Sequence, residues 1–234
     1  MIRRLSSLFS NKNSADSYVR KSYSQCGEDL IIEHIFSALN KSKPSFIDIG
    51  AHHPRYINNT YLFYLQGSRG INIEPDPELF PAFSESRPED RNLNIGIGDT
   101  SGEAEFYVMN QPTLNTFIKT EADRAIKDNS GVKIKETRRI KLSTIAEVIS
   151  TYNNGIYPDL FSIDVEGLDD IILRSINYEV SCPLVICAET LSFSTTGNGV
   201  KSLELIEFLK GQGYLLYADT YINSIFVRAD KWKH

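Results

Sequence analysis

The alternation of short apolar runs with helical patterns is the feature that most limits what this chain can fold into. Runs such as SFIDI (45–49), GINIE (70–74), LFSID (160–164) and LVICAE (184–189) are separated by segments with helical spacing. Strands that alternate with helices form a parallel sheet covered on both faces. The last two runs, YLLYAD (214–219) and INSIFVRAD (222–230), are joined by a turn too short for a parallel crossover. The sequence therefore predicts a doubly wound α/β sheet, mostly parallel, that ends in an antiparallel strand pair.

Cap and turn residues set the expected boundaries of the elements. We expect one helix from Glu28 to Leu39, ahead of the first strand, and another from Asn58 to Gln66 that is stopped by Gly67. The expected organisation is an N-terminal arm and helix in residues 1–40, followed by a single domain in residues 41–234.

Three further boundaries are predicted in the same way. A helix is expected to begin with Asp76 as N-cap and Pro77 as its first residue. The run NLNIGIG (92–98) is predicted to form a single third strand. Ser143 and Thr144 are expected to start a later helix, because hydroxyl side chains favour that position.

Composition excludes several classes of protein. The chain has 234 residues, enough for one α/β domain, and a net charge of −5, which argues against a nucleic-acid surface. No run approaches the roughly 18 apolar residues that a membrane-spanning helix needs, so no transmembrane segment is expected. The three cysteines lack the spacing of a zinc site or a disulfide framework. These observations favour a protein of the reducing cytoplasm.

The turn after the first predicted strand resembles a nucleotide-binding turn. Asp48 and Gly50 follow the apolar run, and Glu74 ends the second strand. In open α/β sheets ligands bind beyond the carboxyl ends of the strands, where an acid at Glu74 can accept hydrogen bonds from ribose hydroxyls. Two classes of ligand use such a pair of positions, the dinucleotides and S-adenosylmethionine.

The residues of the turn discriminate between these two ligands. A dinucleotide requires a G-x-G-x-x-G turn for its pyrophosphate, whereas this chain has GAHHPR (50–55) and lacks the second and third glycines. A carboxylate at Asp48 would repel a pyrophosphate but would favour the ammonium group of S-adenosylmethionine. The turn therefore favours S-adenosylmethionine.

Five short segments, taken in their order along the chain, carry a resemblance to a known family. They are YSQCGEDLI (23–31), FIDIGAHHPRYINNTYLFY (46–64), GINIEPDPELF (70–80), NIGIGDTSGEAEFY (94–107) and FSIDVEGLDDIIL (161–173). Together they resemble the FkbM family of S-adenosylmethionine-dependent methyltransferases over nearly all of residues 23–227. The resemblance implies a class I, Rossmann-like methyltransferase fold and methyl transfer, often to a hydroxyl of a sugar or natural product. Ser162 departs from the family, which often has a lysine there.

The candidate contacts for S-adenosylmethionine lie within these segments. Gly96, together with Asp99, is expected where class I enzymes hold adenine. The predicted cofactor-binding residues are Gln25, Asp48, Gly50, Ala51, Asn59, Thr60, Glu74, Pro75, Asp76, Gly96 and Asp164.

The candidate catalytic residues are acids at strand ends and a histidine in the first loop. A hydroxyl acceptor must lose its proton near the moment of attack, which requires a general base or a metal ion. Asp164, Glu166 and Glu189 follow strands expected to be neighbours, so Asp164 and Glu189 could hold Mg²⁺ or another divalent cation. His53 is favoured over His52 as a base, since a neutral imidazole accepts protons near neutral pH. The alternative is that these groups cap turns or contact the cofactor.

These features favour an O-methyltransferase that acts on a hydroxyl of a saccharide or glycoconjugate, as in polysaccharide biosynthesis. N-methylation of an amine, in a small molecule or a protein, remains open, because the same fold serves both reactions. A nicotinamide-dependent enzyme is disfavoured by the missing glycines, and a non-catalytic binding module is the fourth alternative. No nucleic-acid partner is expected, and formation of a homo-oligomer is left open.

Overall fold

The computed structural model of the protein describes residues 18–191 and 199–232. Residues 1–17 of the expected N-terminal arm therefore lie outside the described residues. The helices are α1 (Glu28–Ala38), α2 (Tyr61–Leu65), α3 (Pro81–Ser86), α4 (Lys119–Asp128), α5 (Ile145–Asn153), α6 (Asp169–Arg174) and α7 (Leu203–Gly211), with a 3-10 turn at Pro112–Leu114. Across the described ranges, none of the helices combines the length and apolar character needed to cross a membrane.

Within residues 18–191 and 199–232, ten strands form two sheets. They are β1 (Phe46–Ile49), β2 (Gly70–Ile73), β3 (Arg91–Leu93), β4 (Gly96–Gly98), β5 (Gly102–Met109), β6 (Ile134–Thr144), β7 (Leu160–Ile163), β8 (Val185–Glu189), β9 (Tyr214–Asp219) and β10 (Asn223–Arg228). The main sheet has seven strands in the order β3-β2-β1-β7-β8-β10-β9. Its strands are parallel except for β10, which is antiparallel to both β8 and β9. The predicted doubly wound, Rossmann-like sheet with a C-terminal antiparallel pair is confirmed.

The strand order of the main sheet has its switch point between β1 and β7. From β1 the chain first builds β2 and β3 on one side, and later adds β7 and β8 on the other. In open α/β sheets ligands bind at such a switch point, beyond the carboxyl ends of the strands. The fold therefore places the ends of β1, β2, β7 and β8 around one region.

The predicted single strand at 92–98 is wrong, because it is split between the two sheets. β3 ends at Leu93 in the main sheet, whereas β4 begins at Gly96 in a three-stranded sheet with the order β4-β6-β5. Between them the Asn94 side chain donates to the main-chain oxygens of Glu74 and Pro75, at 2.8 and 3.0 Å. These hydrogen bonds fix the turn where the chain leaves the main sheet. The second sheet, with α4, is called the small sheet below.

Two predicted helix starts are also wrong. α2 begins at Tyr61 rather than Asn58, because the Asn58 side chain accepts hydrogen bonds from the N–H groups of Thr60 and Tyr61 and ends the preceding loop. α3 begins at Pro81 rather than at Pro77. The Asp76 side chain accepts from Glu78, and this makes a separate turn ahead of the helix.

Helix α1 packs on the main sheet as part of its core. Ile32, Ile35 and Phe36 are buried in one cluster with Phe46 of β1 and Val185 of β8. Burying an apolar side chain of this size contributes about 2 kcal/mol. The helix and the sheet therefore stabilise each other, and the position of α1 fixes the segment just before it.

Helix α5 begins where the hydroxyl residues at 143–144 predicted, and Thr144 there forms a capping box. The Thr144 hydroxyl accepts from the N–H of Glu147, and the Glu147 carboxylate accepts from the N–H of Thr144. Replacing Thr144 with alanine should lower the free energy of unfolding by about 1 kcal/mol, because one N–H of the first turn loses its partner. Urea unfolding should show this loss, and Thr144→Ser should recover most of it. Equal stability of the alanine and serine variants would contradict the capping role.

Candidate functional site

A cavity of about 360 Å³ opens at the carboxyl ends of β1, β2, β7 and β8. Its volume lies within the range of small-molecule sites in proteins. Most of the predicted site residues line it. They are Gln25, Asp48, Gly50, Ala51, Asn59, Glu74, Pro75, Asp164, Glu166 and Glu189.

Asp48 is held by the loop that precedes α2. Its Oδ2 accepts hydrogen bonds from the Thr60 hydroxyl at 2.8 Å and from the Asn58 amide at 3.0 Å. The side chain is buried, with 5% of its surface exposed, and burial raises its pKa while Arg87 opposes the rise. The carboxyl is therefore fixed in place, with its remaining exposed surface toward the cavity.

Gly50 is required by the packing of β1 against β7. Its φ is +73°, and a Cβ at this position would lie 1.9 Å from the main-chain oxygen of Asp164. Both the left-handed conformation and the missing space exclude a side chain. The sequence predicted a glycine that lets a ligand approach, whereas the structure shows that the strand end itself needs it.

Glu74 closes the turn after β1. Its two carboxyl oxygens accept hydrogen bonds from the N–H groups of His52 and Asp76, both at 2.7 Å. Burial raises the pKa of Glu74 to about 8, despite these two donors. The residue thus joins the ends of β1 and β2 and presents a carboxyl group to the cavity.

Three acids meet at the far wall of the cavity. The carboxyl oxygens of Asp164, Glu166 and Glu189 can lie within 4.8 Å of one another. Burial and neighbouring acids act on all three carboxyls, and both influences raise the pKa. Burial and mutual repulsion raise the pKa of Asp164 to about 6 and that of Glu189 to about 11. Three neighbouring carboxyls without a counter-charge can share protons or bind a cation.

The two loop histidines occupy different places. His52 lines the cavity, whereas His53 does not. The His53 ring stacks on Tyr56 with centroids 3.7 Å apart, and its Nδ1 accepts from the N–H of Arg55 at 3.1 Å. Burial lowers the pKa of His52, which favours its neutral form. The preference for His53 over His52 is therefore not supported by the positions of the two rings.

Three predicted cofactor contacts lie outside the cavity lining. Thr60 is buried and bonded to Asp48, and Asp76 accepts from the Asn115 amide at 2.8 Å. Gly96 lies in β4, where a Cβ would be 2.4 Å from the Phe117 ring. These residues support neighbours that line the cavity instead of lining it themselves.

The acids at the start of α1 also have structural partners. Glu28 accepts from the Thr220 hydroxyl at 2.7 Å and from the Asn223 amide at 3.1 Å. Burial raises the pKa of Glu28, but these hydrogen bonds outweigh it and leave the pKa below its ordinary value. Asp29 accepts from Ser22 and Ser24. Neither acid lines the cavity.

Residues of the loop between the 3-10 turn and α4 form another wall of the cavity. Asn115, Thr116 and Phe117 line the cavity, and two of them bridge across it. Asn115 reaches Asp76 beyond β2, while the Thr116 hydroxyl donates to the main-chain oxygen of Glu166 at 3.1 Å. Asn115 and Thr116 belong to a run rich in hydrogen-bonding groups, NQPTLNT (110–116). That composition can be read from the sequence, but the pairing of the run with two distant strand ends cannot.

The electrostatic character of the cavity follows from its titratable residues. Five carboxylic acids line it, at Asp48, Glu74, Asp164, Glu166 and Glu189, and no lysine or arginine does so within the described parts of the chain. Such a lining favours a ligand with positive charge and disfavours a pyrophosphate.

Comparison with known proteins gives the following matches. The family model described as the methyltransferase FkbM domain matches residues 48–216. The structure of a methyltransferase FkbM from Methylobacillus flagellatus KT aligns with 80% of this chain at 12% identity and a TM-score of 0.44. The aligned part spans 44% of that protein's chain. A TehB-like SAM-dependent methyltransferase from Corynebacterium glutamicum ATCC 13032 Kitasato aligns over 91% of both chains, at 12% identity and a TM-score of 0.43. The search of curated proteins returned no match.

Proposed function

Because this chain belongs to the FkbM family of methyltransferases, we propose that it methylates a hydroxyl group of a saccharide or glycoconjugate. The family is S-adenosylmethionine-dependent, so the chain is a methyltransferase with that methyl donor. The observation that carries the proposal is the acidic cavity at the switch point, lined by five carboxylic acids and, among the described residues, by neither lysine nor arginine.

The residues of the cavity fit S-adenosylmethionine. The bound cofactor supplies a methyl group on a sulfonium, which is already electrophilic. Asp48 would hold its ammonium group, and Glu74 would accept hydrogen bonds from its ribose hydroxyls. Both carboxyls are buried and fixed by neighbouring donors, so little further ordering is needed when the ligand binds.

The acid cluster would act on the acceptor. A hydroxyl is a weak nucleophile until its proton is removed, and a carboxylate with a pKa near neutrality is suited to accept it. Asp164, with a pKa raised to about 6, is our candidate for this base. His52, which lines the cavity and is held neutral by burial, is the second candidate. The protein otherwise positions the acceptor oxygen and excludes water.

We also propose that Asp164 and Glu189 bind a divalent cation that activates the acceptor. Oxygen ligands that can converge within 4.8 Å, with Glu166 as the third, suit Mg²⁺. If a metal activates the acceptor, a chelator should lower the turnover at least tenfold and added Mg²⁺ should restore it. Glu189→Gln should lower the turnover and weaken its dependence on Mg²⁺. Turnover that is unaffected by the chelator would exclude the metal and leave a carboxylate or His52 as the base.

The test of the function has two stages. Isothermal titration with S-adenosylhomocysteine should show binding, because Asp48 and Glu74 are already fixed by neighbouring donors. The enzyme supplied with S-adenosylmethionine as methyl donor is then offered neutral saccharides and, in parallel, the corresponding amino sugars. The position of the new methyl group is read by mass spectrometry and NMR. Methylation at oxygen supports the proposal. Methylation only at nitrogen would support the alternative of an N-methyltransferase, and no binding of the nucleoside would contradict the methyl donor.

A further inference from the structure

Arg87 is a buried arginine that does not line the cavity. Its side chain has no exposed surface, and its guanidinium carbon lies 5.0 Å from the ring centroid of Phe46 and 5.2 Å from that of Tyr64. Nε donates to Asp90 at 2.7 Å, but Nη2 has no hydrogen-bond partner in the described part of the chain. Burying a charge with an unused donor is unfavourable. Its presence therefore needs an explanation beyond the single ion pair with Asp90.

Two side chains connect this arginine to the cavity. Nη1 of Arg87 donates to the Thr60 hydroxyl at 3.0 Å and to the Asn58 carbonyl oxygen at 3.2 Å. The Thr60 hydroxyl and the Asn58 amide in turn donate to the same oxygen of Asp48, at 2.8 and 3.0 Å. Because Thr60 accepts from Arg87, its only hydroxyl hydrogen is available for Asp48. Each bridge is one residue long, and both are buried.

The charges of this network are not balanced by the protein alone. Arg87 contributes one positive charge, whereas Asp90 and an ionised Asp48 would contribute two negative ones. Asp90 is paired directly with the arginine, so the excess negative charge lies at Asp48, which lines the cavity. Burial raises the pKa of Asp48, and Arg87 is the strongest influence in the opposite direction. A cationic group of a ligand beside Asp48 would complete the network.

We propose that Arg87 is a positioning residue for the methyl donor. Acting through the hydrogen bonds of Thr60 and Asn58, it fixes the Asp48 carboxyl in the orientation that binds the ammonium group of S-adenosylmethionine. This inference rests on the proposed function, because it takes the cavity to be the site of that cofactor. It differs from a purely structural role, since it predicts an effect confined to the amino-acid end of the ligand.

The test compares two ligands that share a nucleoside. S-adenosylhomocysteine carries the ammonium group, whereas 5′-methylthioadenosine lacks the whole amino-acid end. In Arg87→Met, affinity for S-adenosylhomocysteine should fall on the order of 10-fold to 100-fold, the range expected when a charge-assisted hydrogen bond is lost. Affinity for 5′-methylthioadenosine should stay within about threefold of the wild type, an interval well below the loss of a charged contact. Isothermal titration measures both affinities, and the second also reports that the variant is folded.

The pH dependence gives a readout that a structural role would not move. In Arg87→Met the ratio of the affinity for S-adenosylhomocysteine to that for 5′-methylthioadenosine should rise more steeply with pH than in the wild type. The reason is that loss of the arginine raises the pKa of Asp48 further, and Asp48 must lose its proton to bind the ammonium group. Glu74, Asp164 and Cys187 are the other titratable groups that interact with Asp48. These three groups are unchanged in the variant, so the wild-type ratio of the two affinities at each pH serves as the reference. Both ligands contain the ribose, so any effect of Glu74 on ribose binding cancels in the ratio.

Matched variants keep the inference testable if Arg87→Met does not fold. Thr60→Val removes one bridge without changing size and should lower the ratio of affinities, whereas Thr60→Ser should restore it. Arg69→Met removes a nearby, partly exposed arginine over Tyr64 and should leave the ratio unchanged. An unchanged ratio in Arg87→Met and Thr60→Val would overturn the inference while the cofactor site stands. Failure of the wild type to bind either nucleoside would instead overturn the proposed function, and the inference with it.

Discussion

The ligand-free protein is expected to lose stability as the pH rises from about 5 to about 8. Burial raises the pKa of Glu74 to about 8, that of Asp169 to about 7 and that of Asp164 to about 6. In this interval the unfolded chain, with carboxyl pKa values of about 4, has already lost these protons, whereas the folded protein keeps them. Folding therefore takes up protons, and the free energy of unfolding falls as the pH rises.

The expected loss is at least about 3 kcal/mol, since each pKa unit corresponds to about 1.4 kcal/mol. Urea unfolding at pH 5.5 and pH 8 in the presence of a chelator measures it. Glu189→Gln should be more stable than the wild type at pH 8, because the pKa of Glu189 is raised to about 11 and glutamine does not titrate. Glu89→Gln, at an exposed acid, is the control and should follow the wild type. Stability that is flat or rises over this interval would contradict the raised pKa values.

Replacing Glu74 with alanine should weaken the binding of S-adenosylhomocysteine more than hundredfold, which corresponds to about 3 kcal/mol. The ribose hydroxyls lose their acceptor, and the N–H groups of His52 and Asp76 lose their buried partner. An unpaired buried donor costs about 1–3 kcal/mol, so the turn after β1 should also loosen. Isothermal titration measures the affinity, and thermal unfolding reports the loss of stability separately.

Two companion variants separate the ribose contact from the support of the turn. Glu74→Gln keeps the size of the side chain but replaces one acceptor with a donor, so it should also bind more weakly. Glu78→Ala removes a nearby exposed acid that pairs with Lys135 and Arg138, and its affinity should match the wild type. Wild-type affinity in Glu74→Ala would place the ribose elsewhere in the cavity.

The order of elements and the strand-end acids could be predicted because both depend on local pattern. The apolar runs that became β1, β2, β7 and β8 are short and almost wholly buried, and each has an acid within or just after its last two residues. Parallel strands place such ends at one edge, so the topology expected from the sequence already brings Asp48, Glu74, Asp164 and Glu189 close together. The capping box of α5 was equally local.

The features that the sequence did not predict have a common cause. They depend on contacts between segments far apart in the sequence. The split of the run 92–98 depends on Asn94 reaching the carbonyl groups of Glu74 and Pro75. Nothing in the sequence singled out Arg87, and only the tertiary fold buries it between Asp90 and Thr60. Which of His52 and His53 lines the cavity depends on the local backbone, where His52 has a left-handed φ of +52°. No periodicity in the sequence reports such features.

The hydrogen bonds of Glu28 tie the start of α1 to the turn between β9 and β10. Glu28 is separated by 192 residues from Thr220 and by 195 from Asn223, and Asn223 also lines the cavity. Chains are synthesised from the N-terminus, so early elements can fold before later ones exist. Here the ribosome must release residue 223 before the wall of the cavity is complete. A nascent chain stalled in α7 would already contain Asp48, Glu74 and Asp164, yet it would lack the strand that encloses them.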